Sequence, residues 1–216
     1  MTMSSAAVRK ANKATSDELV MTSLHTQDVD GLMLRFIVAT SSELLEDHKQ
    51  NIWEIFEENM RDLYVSSSFG WDPLSKKLEM FDSLSRVILA EKITENTGSS
   101  EHVGPSRSKE LCAYTIFRFE REVKQNVLYC YELQVARNCQ RLGVGKMLTE
   151  QLLEIASAWK MQKVMLTVFK ANKSADAFYR SIGFSIDFTS PGYEDEDGWE
   201  DEDDKCDYVI LSRPIP

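Results

Sequence analysis

The sequence predicts an α/β fold: a mixed, mostly antiparallel sheet flanked by helices. Two observations carry this. Segments with alternating apolar residues are interleaved with segments of helical spacing, the pattern of a layered α/β domain. Near the middle, Asn126–Trp159 runs from an apolar strand through a polar loop with two glycines into an amphipathic helix.

Leu32–Val38 alternates loosely and reads as the first strand. Thr40-Ser41-Ser42-Glu43 is a capping box, expected to open a helix with Leu45, Ile52, Phe56 and Leu63 on its buried face. Tyr64 to Trp71, with three serines between aromatics, reads as a loop carrying exposed rings, Phe69 and Trp71 among them. Asp72-Pro73 starts a short helix to about Ser83. Arg86–Ile93 and Leu111–Glu120 read as strands, joined by a Gly/Ser-rich stretch, 94–108, expected to be a mobile loop. After a turn at Glu122–Gln125, Val127, Tyr129, Tyr131 and Leu133 alternate, which predicts a strand with these four on one face. Val144, Leu148, Leu152, Ile155 and Trp159 mark the following helix. Lys163–Val168 is another strand. Asn172 is placed to cap a helix that Gly183 ends, Phe184 opens a further strand, and Cys206–Arg213 closes the chain.

Residues 29–216 are read as one domain, and 1–28 as a tail or a helix lying on it. No apolar run approaches the ~20 residues of a membrane span, and no membrane contact is expected. The N-terminus lacks the apolar core of a signal peptide. Cys112, Cys130, Cys139 and Cys206 show no C-x-x-C spacing and the three histidines are scattered, so reduced thiols and no metal site are expected. A net charge of −10 argues against direct nucleic-acid binding and favours a cationic partner. Residues 193–204 hold nine carboxylates in twelve positions, read as a self-repelling acidic loop. A solvated loop and a capture site for a basic tail both stay open for it.

At the glycine turn the run is Gln140-Arg141-Leu142-Gly143-Val144-Gly145, then Lys146 and Met147. A Walker loop needs Ser or Thr at 147, and a dinucleotide fingerprint needs Gly at 148. The remaining Q-x-x-G-x-G run resembles the pyrophosphate loop of the GCN5-related N-acetyltransferases (GNAT). The later N-x-x-A-x-x-F-Y-x-x-x-G-F run, from Asn172 to Phe184, resembles the same superfamily. Beyond it, Arg61–Tyr64, Ser67–Trp71, Phe117–Phe119, Leu128–Glu132, Lys163–Lys170 and Tyr208–Arg213 resemble the N-α-acetyltransferase NatD family over about residues 60–213.

That resemblance implies a GNAT fold, acetyl-coenzyme A as co-substrate, and acetylation of the N-terminal α-amine of core histone tails beginning Ser-Gly-Arg-Gly. A nuclear and cytoplasmic protein and a monomer are expected. Glu132 matches the catalytic glutamate. Tyr64, Tyr131, Thr167 and Tyr208 match residues around the first residues of the peptide. Glu120 and Glu122, with Arg121 between them, match acidic positions that hold its arginine. Leu133, Gln134, Val135, Arg141 through Lys146, and Asn172 match the cofactor set. Phe69 stands where the family has Trp, which keeps an aromatic wall without an indole N–H.

The chemistry agrees with this reading. An α-amine has a pKa of about 7.7–8.0 against about 10.4 for lysine, so one carboxylate is sufficient as base. A carboxylate inside the apolar run Tyr129–Leu133 is costly without a role or partner, unless it points to solvent from the far face. Backbone N–H groups of Leu133–Val135 are candidates to stabilise the carbonyl oxygen. Tyr179 is a candidate acid for the departing sulfur, or a core aromatic. Two alternatives stay open: a lysine or polyamine acetyltransferase of the same fold, and a non-enzymatic module binding acyl-coenzyme A or a basic tail.

Overall fold

The alternating segments pair into one eight-stranded sheet. The structure, a computed structural model, describes residues 5–20, 26–29, 31–94, 108–193 and 206–216. The strands are β1 (Gln27–Val29), β2 (Leu32–Thr40), β3 (Arg86–Thr94), β4 (Ser108–Glu122), β5 (Gln125–Val135), β6 (Lys163–Phe169), β7 (Ser185–Ile186) and β8 (Tyr208–Pro214), in the spatial order β1-β2-β3-β4-β5-β6-β8-β7. All neighbours are antiparallel except β5 and β6, which run parallel. Most of the expected loop 94–108 and of the acidic loop 193–204 lies outside the described residues.

Helices cover both faces. α1 (Ala6–Ala11), α2 (Ser16–Leu19), α5 (Val144–Ala158) and α6 (Lys173–Ser181) lie over a core built on Phe36, Ile88, Phe117, Leu128 and Leu211. α3 (Glu46–Val65) and α4 (Pro73–Met80) cover the other face, against Val87, Leu89, Tyr114 and Ile116. Within residues 1–28, α1 and α2 dock on the domain and the last two residues belong to β1. Val8, Ala11, Ala14 and Leu19 are buried, and Asn12 Nδ2 donates to Phe119 O at 3.0 Å.

One local reading needs correction, and two others hold. The capping box closes a short 3₁₀ turn, Ser41–Glu43, in which the Glu43 carboxylate accepts the Thr40 N–H. α3 begins three residues later, and Leu45 sits outside it, 65% exposed, while Ile52 and Phe56 are fully buried. The 122–125 turn is a two-residue hairpin with Val123 and Lys124 at φ 42° and 69°. A β-branched residue there is strained. α6 ends as its glycine requires: Gly183 has φ 90°, its N–H donates to Arg180 O, and Phe184 N–H donates to Tyr179 O.

The largest departure is in β5. Cys130 pairs with Phe117 and Glu132 with Ile116, so Tyr131 is an extra residue, a β-bulge. It reverses the alternation. Leu128 and Cys130 before it, and Leu133 and Val135 after it, all reach the α5–α6 face. Tyr131 packs on the α3–α4 face, which Glu132 and Gln134 share with their partners Ile116 and Tyr114. The sequence put Tyr131 and Leu133 on one face; the bulge separates them.

Candidate active site

The bulge coincides with a split in the sheet. β5 pairs with β6 only from Val127 to Cys130, and β6 continues against β8 to Phe169. The strands diverge beyond Cys130 and leave a cleft of about 1020 Å³. Ala136 N–H donates to Cys112 O on β4. The alternation of an antiparallel ladder then turns the Gln134 N–H toward β4, and those of Leu133 and Val135 toward the open side.

Glu132 is the buried charge of this cleft, 5% exposed. Its Oε1 is 2.8 Å from Lys76 Nζ, and its Oε2 accepts from Gln134 Nε2 at 2.9 Å. Lys76, on α4, also pairs with Glu79 and stands 5.3 Å from the centre of the Tyr64 ring. Burial pulls the Lys76 ammonium down. The charges of Glu132, Tyr64 and Glu79 outweigh it and hold the group above the usual lysine value. The carboxylate therefore does not point to solvent; it is buried with a compensating cation.

Aromatic rings wall one side. Tyr64, in the last turn of α3, meets Phe169 edge-on at 5.0 Å, and Phe69 meets Phe169 at 5.5 Å and Tyr208 at 5.3 Å. The loop carrying Phe69 is tied to the start of β8, where the Asp207 carboxylate accepts both the N–H and the hydroxyl of Ser68. Burial and the Glu132 charge push the Tyr64 phenol up to about 12. Tyr129, also up at about 12 through burial, shares a 2.6 Å hydrogen bond with Thr167 across the split. Tyr179 is buried, and burial keeps its hydroxyl protonated far above neutral pH.

At the other end lies the glycine turn. Gly143 has φ 82°, which a side chain adopts only with strain, and α5 starts at Val144. The N–H of Met147 is the first to bond within the helix, to Gly143 O. The N–H groups of Val144, Gly145 and Lys146 precede it at the helix N-terminus, an anion site by geometry and dipole. A Cβ on Gly145 would meet Phe178, Val135 and Leu133 at 3.5–3.7 Å, ordinary van der Waals contact, so α5 packs on β5 and α6 there without excluding a methyl group.

The acetyltransferase (GNAT) family pattern matches residues 52–184. The chain belongs to the GNAT acetyltransferase family. It is an acyltransferase, and its reaction is acetyl transfer. The fold is similar to that of the ribosomal-protein-S18-alanine N-acetyltransferase from Escherichia coli, at 19% identity over 83% of this chain and 94% of that one, with a TM-score of 0.51. It is also similar to Arabidopsis thaliana NAA60 in complex with a bisubstrate analogue (15% identity, 85% and 99% covered, TM-score 0.53). A third is the phosphinothricin acetyltransferase of Sinorhizobium meliloti in complex with acetyl-coenzyme A (14% identity, 84% and 88% covered, TM-score 0.53).

Within this acetyltransferase the cleft gathers most residues singled out from sequence. Glu132, Tyr179, Tyr64, Phe69, Tyr131, Thr167 and Tyr208 line it, as do Leu133 to Val135 and Asn172. Gln140, Arg141 and Gly143 to Lys146 line its phosphate end. Five residues do not line it. Leu142 turns to the core, and Trp71 stacks on Phe56 with ring centres 6.0 Å apart, which makes it core rather than pocket wall. Glu120, Arg121 and Glu122 stand beyond the lining. Glu120 connects to the cleft through Tyr131, whose hydroxyl donates to its Oε1 at 2.7 Å, and Arg121 Nη1 donates to Asn126. Sequence reasoning missed Lys76, Glu79, Asn59 and Tyr129, which also line the cleft.

The residues present fit acetyl-coenzyme A. The open N–H groups of Val144 to Lys146 suit its diphosphate, and those of Leu133 and Val135 suit its amide arm. Among the described residues no group of three or more His, Cys, Asp or Glu side chains is placed to hold a metal ion.

Proposed function

We propose that this acetyltransferase acts on the N-terminal α-amine of basic peptides, with histone tails beginning Ser-Gly-Arg-Gly as substrate, in the manner of the NatD family. The observation that carries this is Glu132: a carboxylate buried at the point where β5 leaves β6, held on both oxygens, beside an aromatic wall. Bound acetyl-coenzyme A supplies the activated acetyl group. Glu132 takes the proton of the attacking amine, directly or through one water. The N–H groups of Leu133 and Val135 face the side on which a carbonyl oxygen gains charge. Tyr179, kept protonated by burial, holds a proton for the departing sulfur. An α-amine suits this site better than a lysine, which costs about 3–4 kcal/mol more to neutralise at pH 7.

The acidic rim supports a basic substrate. Burial, and then the neighbouring Glu120 charge, raise the Glu122 carboxyl above its ordinary value. Two carboxylates in that relation are relieved by a cation, and a guanidinium pairs with both. Tyr64, Phe69, Phe169 and Tyr208 leave an aromatic pocket that suits a small first residue. A histone substrate implies a nuclear and cytoplasmic enzyme.

The test is Glu132→Gln with a Ser-Gly-Arg-Gly peptide. We expect kcat to fall about 10²–10⁴-fold, and no acetylation of the N-terminally blocked peptide. Full turnover by the variant removes Glu132 as base; activity on the blocked peptide refutes the α-amine assignment.

A further inference from the structure

A line of side-chain amides runs from the glycine turn to Glu132, and acetyl transfer as described above involves only its last link, Gln134 to Glu132. Gln140 opens the turn, and its Nε2 donates to Val135 O at 3.1 Å. The same oxygen accepts from Asn59 Nδ2, also at 3.1 Å. Both lone pairs of that carbonyl are then occupied. Asn59 Nδ2 donates as well to Gln134 Oε1 at 3.1 Å, and Gln134 Nε2 donates to Glu132 Oε2 at 2.9 Å.

The polarity of the line is dictated from one end. A backbone carbonyl only accepts, so Val135 O turns the NH₂ of Asn59 toward β5. That NH₂ in turn fixes Gln134 with its oxygen toward Asn59 and its NH₂ toward Glu132. Gln134 and Glu132 are 7% and 5% exposed, so water does not readily replace these bonds. Asn59 lies on α3, more than seventy residues away in sequence from the strand it orders.

We propose that Asn59 is a positioning residue: anchored on the carbonyl that also receives the phosphate turn, it fixes through Gln134 the orientation of the Glu132 carboxylate. This rests on Glu132 acting as the base. Asn59→Asp keeps the shape but sets oxygens against Val135 O and Gln134 Oε1; Asn59→Ala removes the group. Either variant should lower kcat about tenfold to a hundredfold, the rate equivalent of one hydrogen bond to a charged group. The peptide KM should stay within about twofold of its starting value.

The experiment measures kcat for Asn59→Asp and Asn59→Ala, each in the native and in the Glu132→Gln background, with thermal melts to establish folding. In the Glu132→Gln background neither Asn59 variant should cost more, because the carboxylate it orients is gone. An equal loss in both backgrounds, or no loss in the native one, overturns the role of Asn59 and leaves the base assignment standing. A Glu132→Gln variant with full kcat removes the base assignment itself, and the Asn59 role with it.

Discussion

Replacing Lys76 by methionine tests how this protein tolerates a carboxylate in its interior. Methionine keeps an unbranched chain between Phe56 and Tyr64, whose ring centres lie 5.4 and 5.3 Å from Nζ, and removes only the charge. The lost partner is Glu132 at 2.8 Å, with side chains 11% and 5% exposed. At an effective dielectric of about 20, a unit pair at that distance attracts by roughly 6 kcal/mol. Returning the ammonium to water in the unfolded chain offsets part of this. Breaking a buried pair from one side costs about 3–5 kcal/mol, and the slight access of Lys76 to water favours the lower figure, about 3 kcal/mol. The i,i+3 contact with Glu79 adds less than about 1 kcal/mol, since Glu79 is 42% exposed. Urea unfolding followed by tryptophan fluorescence, with Trp53 and Trp71 in contact beside α4, reads the change. The decisive comparison is Lys76→Met in the Glu132→Gln background, where the cost should shrink by about 2 kcal/mol. An unchanged cost within about 0.5 kcal/mol would refute the claim that the ammonium stabilises the fold through that carboxylate.

Three further expectations follow from single features. Tyr64 and Tyr129 titrate near 12, and Tyr114, Tyr131 and Tyr179 also lie above the ordinary phenol value, all chiefly through burial. The unfolded chain therefore loses these protons first, so stability should fall above pH ~10, by about 1.4 kcal/mol per pH unit for each such tyrosine; phenolate absorbance should appear together with unfolding, and separate early titration of five tyrosines would contradict it. Val123→Asn with Lys124→Gly gives the hairpin the residues its positive φ angles favour and should raise stability by about 1 kcal/mol in urea melts. Gly143→Ala has open space around the new Cβ but φ 82°, so strain of about 1 kcal/mol and weaker acetyl-coenzyme A binding by calorimetry are expected, with undiminished affinity arguing against this turn as the diphosphate seat.

Much of this arrangement is legible in the residues. The apolar spacing of Val144, Leu148, Leu152 and Ile155 marks α5, because a helix that closes a sheet buries one stripe. Gly143 and Gly183 mark turns that only a residue without a side chain enters freely. Other features leave no trace in a linear pattern. The bulge at Tyr131 adds one residue to a strand whose aromatic residues are tolerated on either face. Lys76 sits in a Lys-Lys pair on a short polar helix, and its burial is decided by a carboxylate 56 positions later. Trp71 reads as a ring on an exposed loop, yet α3 ends close enough for it to stack on Phe56. The Thr40–Glu43 box is a true cap on a shorter turn than the pattern implies.

The joint between β5 and β6 is short: four registered pairs, Val127 with Lys163 through Cys130 with Leu166. The sheet is thus two leaves on a narrow spine, five strands on one side and three on the other. Tyr208 travels with the smaller leaf, and Glu132 with the larger. Widening the cleft would break no rung of either ladder, but it would break the ties that cross from one leaf to the other, Ser68 to Asp207 and Tyr129 to Thr167. Slow amide exchange from Val127 to Cys130 beside faster exchange at Leu133 and Val135 is the signature expected of so short a joint.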